Sequence, residues 1–233
     1  MKRPLYYQWL WISKQRFLHF YLIGLLSLCI HFGLYSYPRT PSFPEITLAF
    51  HLARRSYECL FVHRYNETSK MHFLGYLLGI SHYLVLPYVF VGRVSNYSSV
   101  FTCGLGVMNL LFQYEQYQHH KILAQMRSSK AIASSYTLPP ARRWFRLILC
   151  PHYLAEILLY FTWAIIIQQQ NEEVEIKITR VKRIISLGVK YRHWFLFVWV
   201  LTNLTVSSFN NYEWYKTRFP NQPIQTALIP HFV

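Results

Sequence analysis

The sequence predicts an all-α fold, a polytopic transmembrane bundle of about six helices, and three observations predict it. Of the 233 residues 53% are hydrophobic and only 14% charged, too apolar a balance for a surface bathed in water. The apolar residues come in blocks long enough to cross a hydrocarbon core. The formal charge of +15 falls between those blocks, where cytoplasmic loops and anionic headgroups accommodate it. No RNA- or DNA-binding motif accompanies the charge, so a nucleic-acid partner is not expected. The four cysteines, Cys29, Cys59, Cys103 and Cys150, show no C-x-x-C spacing and read as reduced packing residues, not as disulfides or metal ligands.

Residues 1–16 are basic and aromatic, with Lys2, Arg3, Trp9 and Trp11, and no small-residue cleavage site follows a short apolar core as in a signal peptide. Residues 17–37 form the first span, ended by Pro38, Pro41 and Pro44. The stretch 45–62 is less apolar and carries His51, Arg54, Arg55 and Glu58. On a helix Arg54 and Glu58 are spaced i,i+4. In so apolar a chain the reading with this polar face turned inward is favoured over one along the interface. Residues 71–92 make the next span, broken or kinked at Pro87, and 100–123 another. Gly104-Leu105-Gly106 imitates the start of a dinucleotide fingerprint, but no strand precedes it, so close helix packing is expected instead. A basic loop, 128–146, leads to a span at 150–167. The charged stretch 168–190 reads as a solvated loop or short surface helix, and 194–208 is the last span.

The polar residues inside these spans are the candidates for chemistry. Pro151 suits the first turn of a helix, on which His152 and Glu156 share a face. A glutamate one turn inside a membrane-length helix is costly and points to function. The spacing fits a ligand or proton-relay site, and equally a Glu156 paired with a nearby arginine beside a His152 in the headgroup layer. Gln116, His120, Leu123 and Arg127 fall at i, i+4, i+7 and i+11, one face over three turns. Such a stripe is either a solvated helix end or the lining of a phosphate or nicotinamide cleft. His19 lies near the start of its span, where spacing alone favours an interfacial histidine among aromatics over a site residue.

Taken together these stretches resemble the steroid 5-alpha-reductase family, and within it the branch acting on polyprenoids. The resemblance runs from about Lys14 to the C-terminus. It rests on Lys14-Gln15-Arg16-Phe17-Leu18-His19-Phe20-Tyr21, His51-Leu52-Ala53-Arg54-Arg55-Ser56-Tyr57-Glu58-Cys59 and Gln116-Tyr117-Gln118-His119-His120 with Arg127. Pro151-His152-Tyr153-Leu154-Ala155-Glu156 and the ending Ala227-Leu228-Ile229-Pro230-His231-Phe232 complete it. The resemblance implies one integral-membrane reductase domain over 1–233 in the endoplasmic reticulum. Substrate-side helices would lie in 14–70 and cofactor-binding helices in 97–233. The family pattern has seven helices, and residues 1–13 are too short to supply the first, so six are expected. It implies NADPH as cofactor, a long-chain polyprenoid as substrate, no metal, and a monomer. The reaction would be reduction of the α-isoprene double bond on the way to dolichol for protein glycosylation. Gln116, His120 and Arg127 stand at the family's cofactor-helix positions, His152 and Glu156 at its Asn and Glu, and Tyr215 at a tyrosine beside the nucleotide. His19 takes the place of a substrate-binding polar residue, whose glutamate partner is Phe20 here. The hydrogen bond or proton for the substrate oxygen would come from His19 or from a tyrosine such as Tyr57.

The chain departs from the family in places. Its usual Arg-Ile-Pro-x-Gly-Asp-Trp-Phe is here Thr137-Leu138-Pro139-Pro140-Ala141-Arg142-Arg143-Trp144-Phe145, and 168–190 looks like an insertion. These departures keep two alternatives in view: a degenerate, non-catalytic member, and a steroid or enoyl reductase with another lipid substrate. An isoprenoid methyltransferase would want a paired-acid helix near the end, where only Glu213 follows Trp194. A di-iron hydroxylase needs several histidine boxes, against the single His119-His120 pair.

Overall fold

The computed structural model describes residues 10–35, 41–65, 69–90, 100–127, 137–171 and 180–228. Among them are six α-helices: α1 (Phe17–Tyr35), α2 (Phe43–Tyr57), α3 (Phe73–Phe90), α4 (Val100–Met126), α5 (Pro151–Asn171) and α6 (Arg180–Arg218). The all-α class therefore stands, with six helices among the described residues. Two of the helical stretches, Lys14–Leu34 and Phe73–Phe90, are long and apolar enough to cross a membrane. The only sheet among the described residues is a two-stranded antiparallel ribbon, β1 (Trp11–Ser13) with β2 (Lys70–His72). The chain forms two compact units, residues 1–95 and 96–233.

In the first unit α1 packs on both α2 and α3, and glycines set how closely. A Cβ on Gly79 would lie 2.5 Å from the Phe20 ring, and one on Gly24 would lie 3.1 Å from Leu52. Phe20 stacks on Tyr83 with ring centroids 5.9 Å apart, and Ser27 donates to the Leu84 carbonyl at 2.8 Å. Helix α2 starts where Ser42 donates both its N–H and its hydroxyl to Glu45 (2.6 and 2.7 Å), with Pro44 in the first turn, as helix starts favour. It ends in a π-helical turn, Glu58–Val62, closed by His63 N–H on the Glu58 carbonyl. Pro87 causes no break: it sits in the last turn of α3, which continues to Phe90.

In the second unit α4 and α5 run antiparallel, held by hydrogen bonds at Thr102–Gln169 and Asn109–Thr162, and α6 packs on α5. Trp163, Phe145, Leu159 and Ile166 fill the interior. The expected loop or short helix over 168–190 is corrected at both ends. Helix α5 runs on to Asn171, and α6 is already helical from Arg180, giving one helix of 39 residues where a span of 194–208 was expected. The acidic part of that stretch, with Glu172, Glu173 and Glu175, lies outside the described residues, as do residues 1–9 and the last five of the chain. Close packing at Gly104 is not found: Gly104 is exposed, with nothing within 4 Å of where a Cβ would stand, and Gly106 is the buried one. The cysteines are free, and of them Cys29 and Cys103 are exposed, not packed.

Candidate active site

Four of the sequence-predicted residues meet on the facing sides of α4 and α5. Gln116, fully buried, donates through Nε2 to Oε2 of Glu156 at 2.8 Å. One turn further along α4 and one turn back along α5, the rings of His120 and His152 lie 5.5 Å apart, tilted by 60°. The i,i+4 spacing on each helix turns both pairs to the same seam. The His152 ring packs against those of His120 and, at 4.2 Å, Tyr153. Arg127 stands in the exposed turn just after α4, at the outer end of the stripe. Tyr215 lies near the end of α6, stacked on Phe219 (6.0 Å) and edge-on to Trp214 (4.9 Å).

The seam continues where sequence reasoning did not follow it. Asn109, buried, donates to the Thr162 hydroxyl (2.8 Å) and to the Leu159 carbonyl (3.2 Å), and Gln113 donates to Asn109 Oδ1 (3.0 Å). Its signal was present: Asn109, Gln113, Gln116 and His120 repeat the i, i+4, i+7, i+11 spacing one heptad before the stripe that was read.

Beside the seam, the segment 137–150 is tied to α4. Arg143 donates through Nε to Glu115 at 3.0 Å and pairs with it again through Nη2, and His119 Nε2 lies 3.7 Å from the same carboxylate. Trp144 and Phe145 close over the buried His119 ring (5.3 and 5.4 Å). Arg143 has φ 52, a left-handed backbone uncommon for a residue with a Cβ. The Glu115 partner holds the Arg143 guanidinium above its ordinary value.

The first unit holds a polar cluster. Glu58, with no exposure, is ion-paired to both Arg54 and Arg55, and Arg55 donates to the Tyr21 hydroxyl through Nη2 (2.6 Å) and Nε (3.1 Å). His51 is buried and lies 3.2 Å from Arg54 through Nδ1. The expected Arg54–Glu58 pair and the inward orientation of this face are both present. Burying such a group unpaired would cost several kcal/mol per ion, on the order of magnitude that forces pairing. His19 lies on α1, its Nδ1 2.8 Å from the Tyr76 hydroxyl. Tyr57 is turned outward, 50% exposed against Phe61, and Tyr21 is the tyrosine that joins the buried charges. The sequence offered no signal to prefer Tyr21 over Tyr57.

Comparison with known proteins places this geometry in context. A family model described as 3-oxo-5-alpha-steroid 4-dehydrogenase matches residues 66–174. A polyprenal reductase of Saccharomyces cerevisiae is 31% identical over 95% of this chain and 75% of its own length. Polyprenal reductase 1 of Oryza sativa subsp. indica is 25% identical over 94% and 79%, and a polyprenal reductase of Xenopus laevis 26% identical over 99% and 80%.

Proposed function

The chain belongs to the steroid 5-alpha-reductase family, in its polyprenal reductase branch, and we propose that it reduces the α-isoprene double bond of a long-chain polyprenal with NADPH in the endoplasmic reticulum membrane. The single observation that carries the reading is the hydrogen bond from buried Gln116 to half-buried Glu156, flanked by His120 and His152. A carboxylate and an amide are not kept inside an apolar helix pair without use.

The donor set fits the cofactor. An amide, a carboxylate and two imidazoles suit the carboxamide and hydroxyl groups of a nicotinamide riboside. Exposed Arg127, Arg142 and Arg146 on the neighbouring segments suit its phosphates. When bound, the reduced nicotinamide supplies the hydride. Glu156 is held in place by Gln116, and His152 by the His120 and Tyr153 rings, so these groups are oriented before anything binds.

The aldehyde is the better substrate on chemical grounds. Hydride adds to the carbon β to a conjugated carbonyl because the charge passes to oxygen; a proton on the α carbon then gives the saturated aldehyde. An isolated allylic alcohol has nowhere to put that charge. At the substrate end, the tautomer in which His19 Nδ1 accepts from the Tyr76 hydroxyl carries the ring proton on Nε2, and that nitrogen is the first proposed donor to the substrate oxygen. Tyr57 is the second proposed donor. The exposed apolar side chains of the helices, such as Leu26, Leu34, Leu78, Val85, Phe195 and Val198, suit a lipid surround. The protein acts as a monomer, spanning the membrane several times.

Membranes containing this chain alone, given NADPH with polyprenal, polyprenol and a 3-oxo-4-ene steroid in parallel, test the reading by mass spectrometry of the products. A saturated product from polyprenal only is expected. Steroid reduction would move the protein to another substrate, and no product from any of the three would favour a non-catalytic member.

A further inference from the structure

The chain's closing motif takes no part in the chemistry above, yet its first residues have a defined partner. Leu149 N–H donates to the Thr226 carbonyl at 2.8 Å and Cys150 N–H to the Ala227 carbonyl at 3.1 Å. Ile148 and Thr226 form a parallel bridge, and the Thr226 hydroxyl reaches the Leu147 carbonyl at 3.4 Å. Ala227 has no exposure, and Ile148, Leu149, Cys150 and Leu228 are all buried.

Cys150 is where α5 begins. Its carbonyl accepts from the N–H groups of Tyr153 (3.0 Å) and Leu154 (3.3 Å), so it is fixed from both sides, by the tail through its N–H and by the helix through its oxygen. From α6, Asn211 Nδ2 adds a contact to its sulfur at 3.7 Å. Two residues later comes His152 and six residues later Glu156. The same tail descends directly from the end of α6, which carries Tyr215.

We propose that Thr226–Leu228 is a positioning clamp, which fixes the start of α5 and so aims His152 and Glu156 at the cofactor. The clamp rests on the NADPH reading proposed above. A helix start that is free to shift misplaces every group on its first two turns and loosens their hydrogen bonds to the cofactor, and a lost bond to a charged group costs about ten-fold or more in affinity. The clamp acts through the backbone, so its signature is in cofactor affinity and not in the chemical step.

The test begins with the unaltered chain in detergent or nanodiscs, titrated with NADPH and followed by tryptophan fluorescence. Absence of binding would overturn the cofactor reading itself, before the clamp is addressed. With binding in hand, hydrogen exchange at the Leu149 and Cys150 amides is measured with and without NADPH. A ligand that binds only the clamped state raises protection by about 100-fold at 100 times its Kd, and that rise is expected at these two amides. Protection there that NADPH leaves unchanged would overturn the clamp. Ala227→Phe, for which the buried position has no room, supplies the second arm, with Ala227→Gly as the control that keeps the backbone carbonyl. The expected result is a KM for NADPH at least about ten-fold higher, with kcat at saturating NADPH within about two-fold of wild type. Loss of kcat with KM unmoved would mean that the tail is only structural.

Discussion

Gln116 Nε2 donates to Glu156 Oε2 across 2.8 Å, and that bond is one rung of a seam running the length of α4 and α5. Thr102 meets Gln169, Asn109 meets Thr162, and His120 meets His152. A step of seven along α4 is matched by six or seven back along α5, as an antiparallel helix pair requires. The residues proposed to bind the cofactor are thus placed by a register that begins far from them.

Glu156→Gln keeps the size and hydrogen-bonding reach of the side chain and removes its charge. A bond to a charged group is worth about 1.5–3 kcal/mol, so kcat/KM for NADPH is expected to fall by about 10- to 100-fold or more, with the fold intact by circular dichroism. Unchanged turnover would move the site away from α5.

Asn109→Leu strips the donor from Thr162 and the acceptor from Gln113, both inside the bundle. Leaving such partners unsatisfied costs about 1–3 kcal/mol, tempered by values near 0.6 kcal/mol for interhelical bonds in lipid. Reversible unfolding in mixed micelles should show a loss of about 1 kcal/mol. Activity should fall less than for Glu156→Gln, because the register has other rungs. A variant as stable as wild type would mean that the seam does not set the register.

How much of this was legible depended on periodicity. Gln116, His120, His152 and Glu156 declared themselves because polar groups at helical spacing inside apolar runs are expensive. The helix 180–218 did not: its first turns are charged, so composition argued for solvent, while its backbone simply continues into an apolar helix. The loop 137–147 was legible as a departure but not as a structure. The family's motif has aspartate just before Trp-Phe, a residue type that enters the left-handed region readily. Here Arg143 takes that conformation, with Glu115 as its partner. A pairing between residues 28 positions apart leaves no periodic trace. Tyr21 was hidden for the same reason, since only the crossing of α1 and α2 brings it to Arg55.

Gly79 reports on the position where the family's steroid branch has a glutamate. The Phe20 ring that stands there occupies the space a Cβ on residue 79 would need, and it is also packed against Tyr83 and Tyr76. Gly79→Ala forces that ring out of place, and overpacking of this kind costs about 1–3 kcal/mol. Combining it with Phe20→Leu should recover most of the loss, a coupling that a double-mutant cycle reads directly. Strict additivity of the two changes would show that the ring and the glycine are not in contact.

Cys150 lies under the tail and outside the helices, and burial pushes its thiol up from an ordinary 9.0 to about 11, with the Asn211 amide pulling weakly the other way. The thiolate is the reactive form, so at pH 8 only about one part in a thousand of Cys150 is poised to react, against a sizeable fraction of an ordinary thiol. Peptide-resolved alkylation should therefore show Cys150 labelling slowly, its rate still climbing between pH 9 and pH 11, where an unperturbed cysteine has levelled off. Restricted access lowers the whole curve but does not move its bend. The linkage has a definite sign: the folded state holds the proton more tightly than the unfolded one. This contribution to stability is therefore complete below about pH 9 and is lost as pH rises toward 11. A rate that levels off near pH 9 would mean that the reagent meets the thiol only after the tail has lifted from Leu149 and Cys150. The environment seen in the folded chain would then not govern its chemistry.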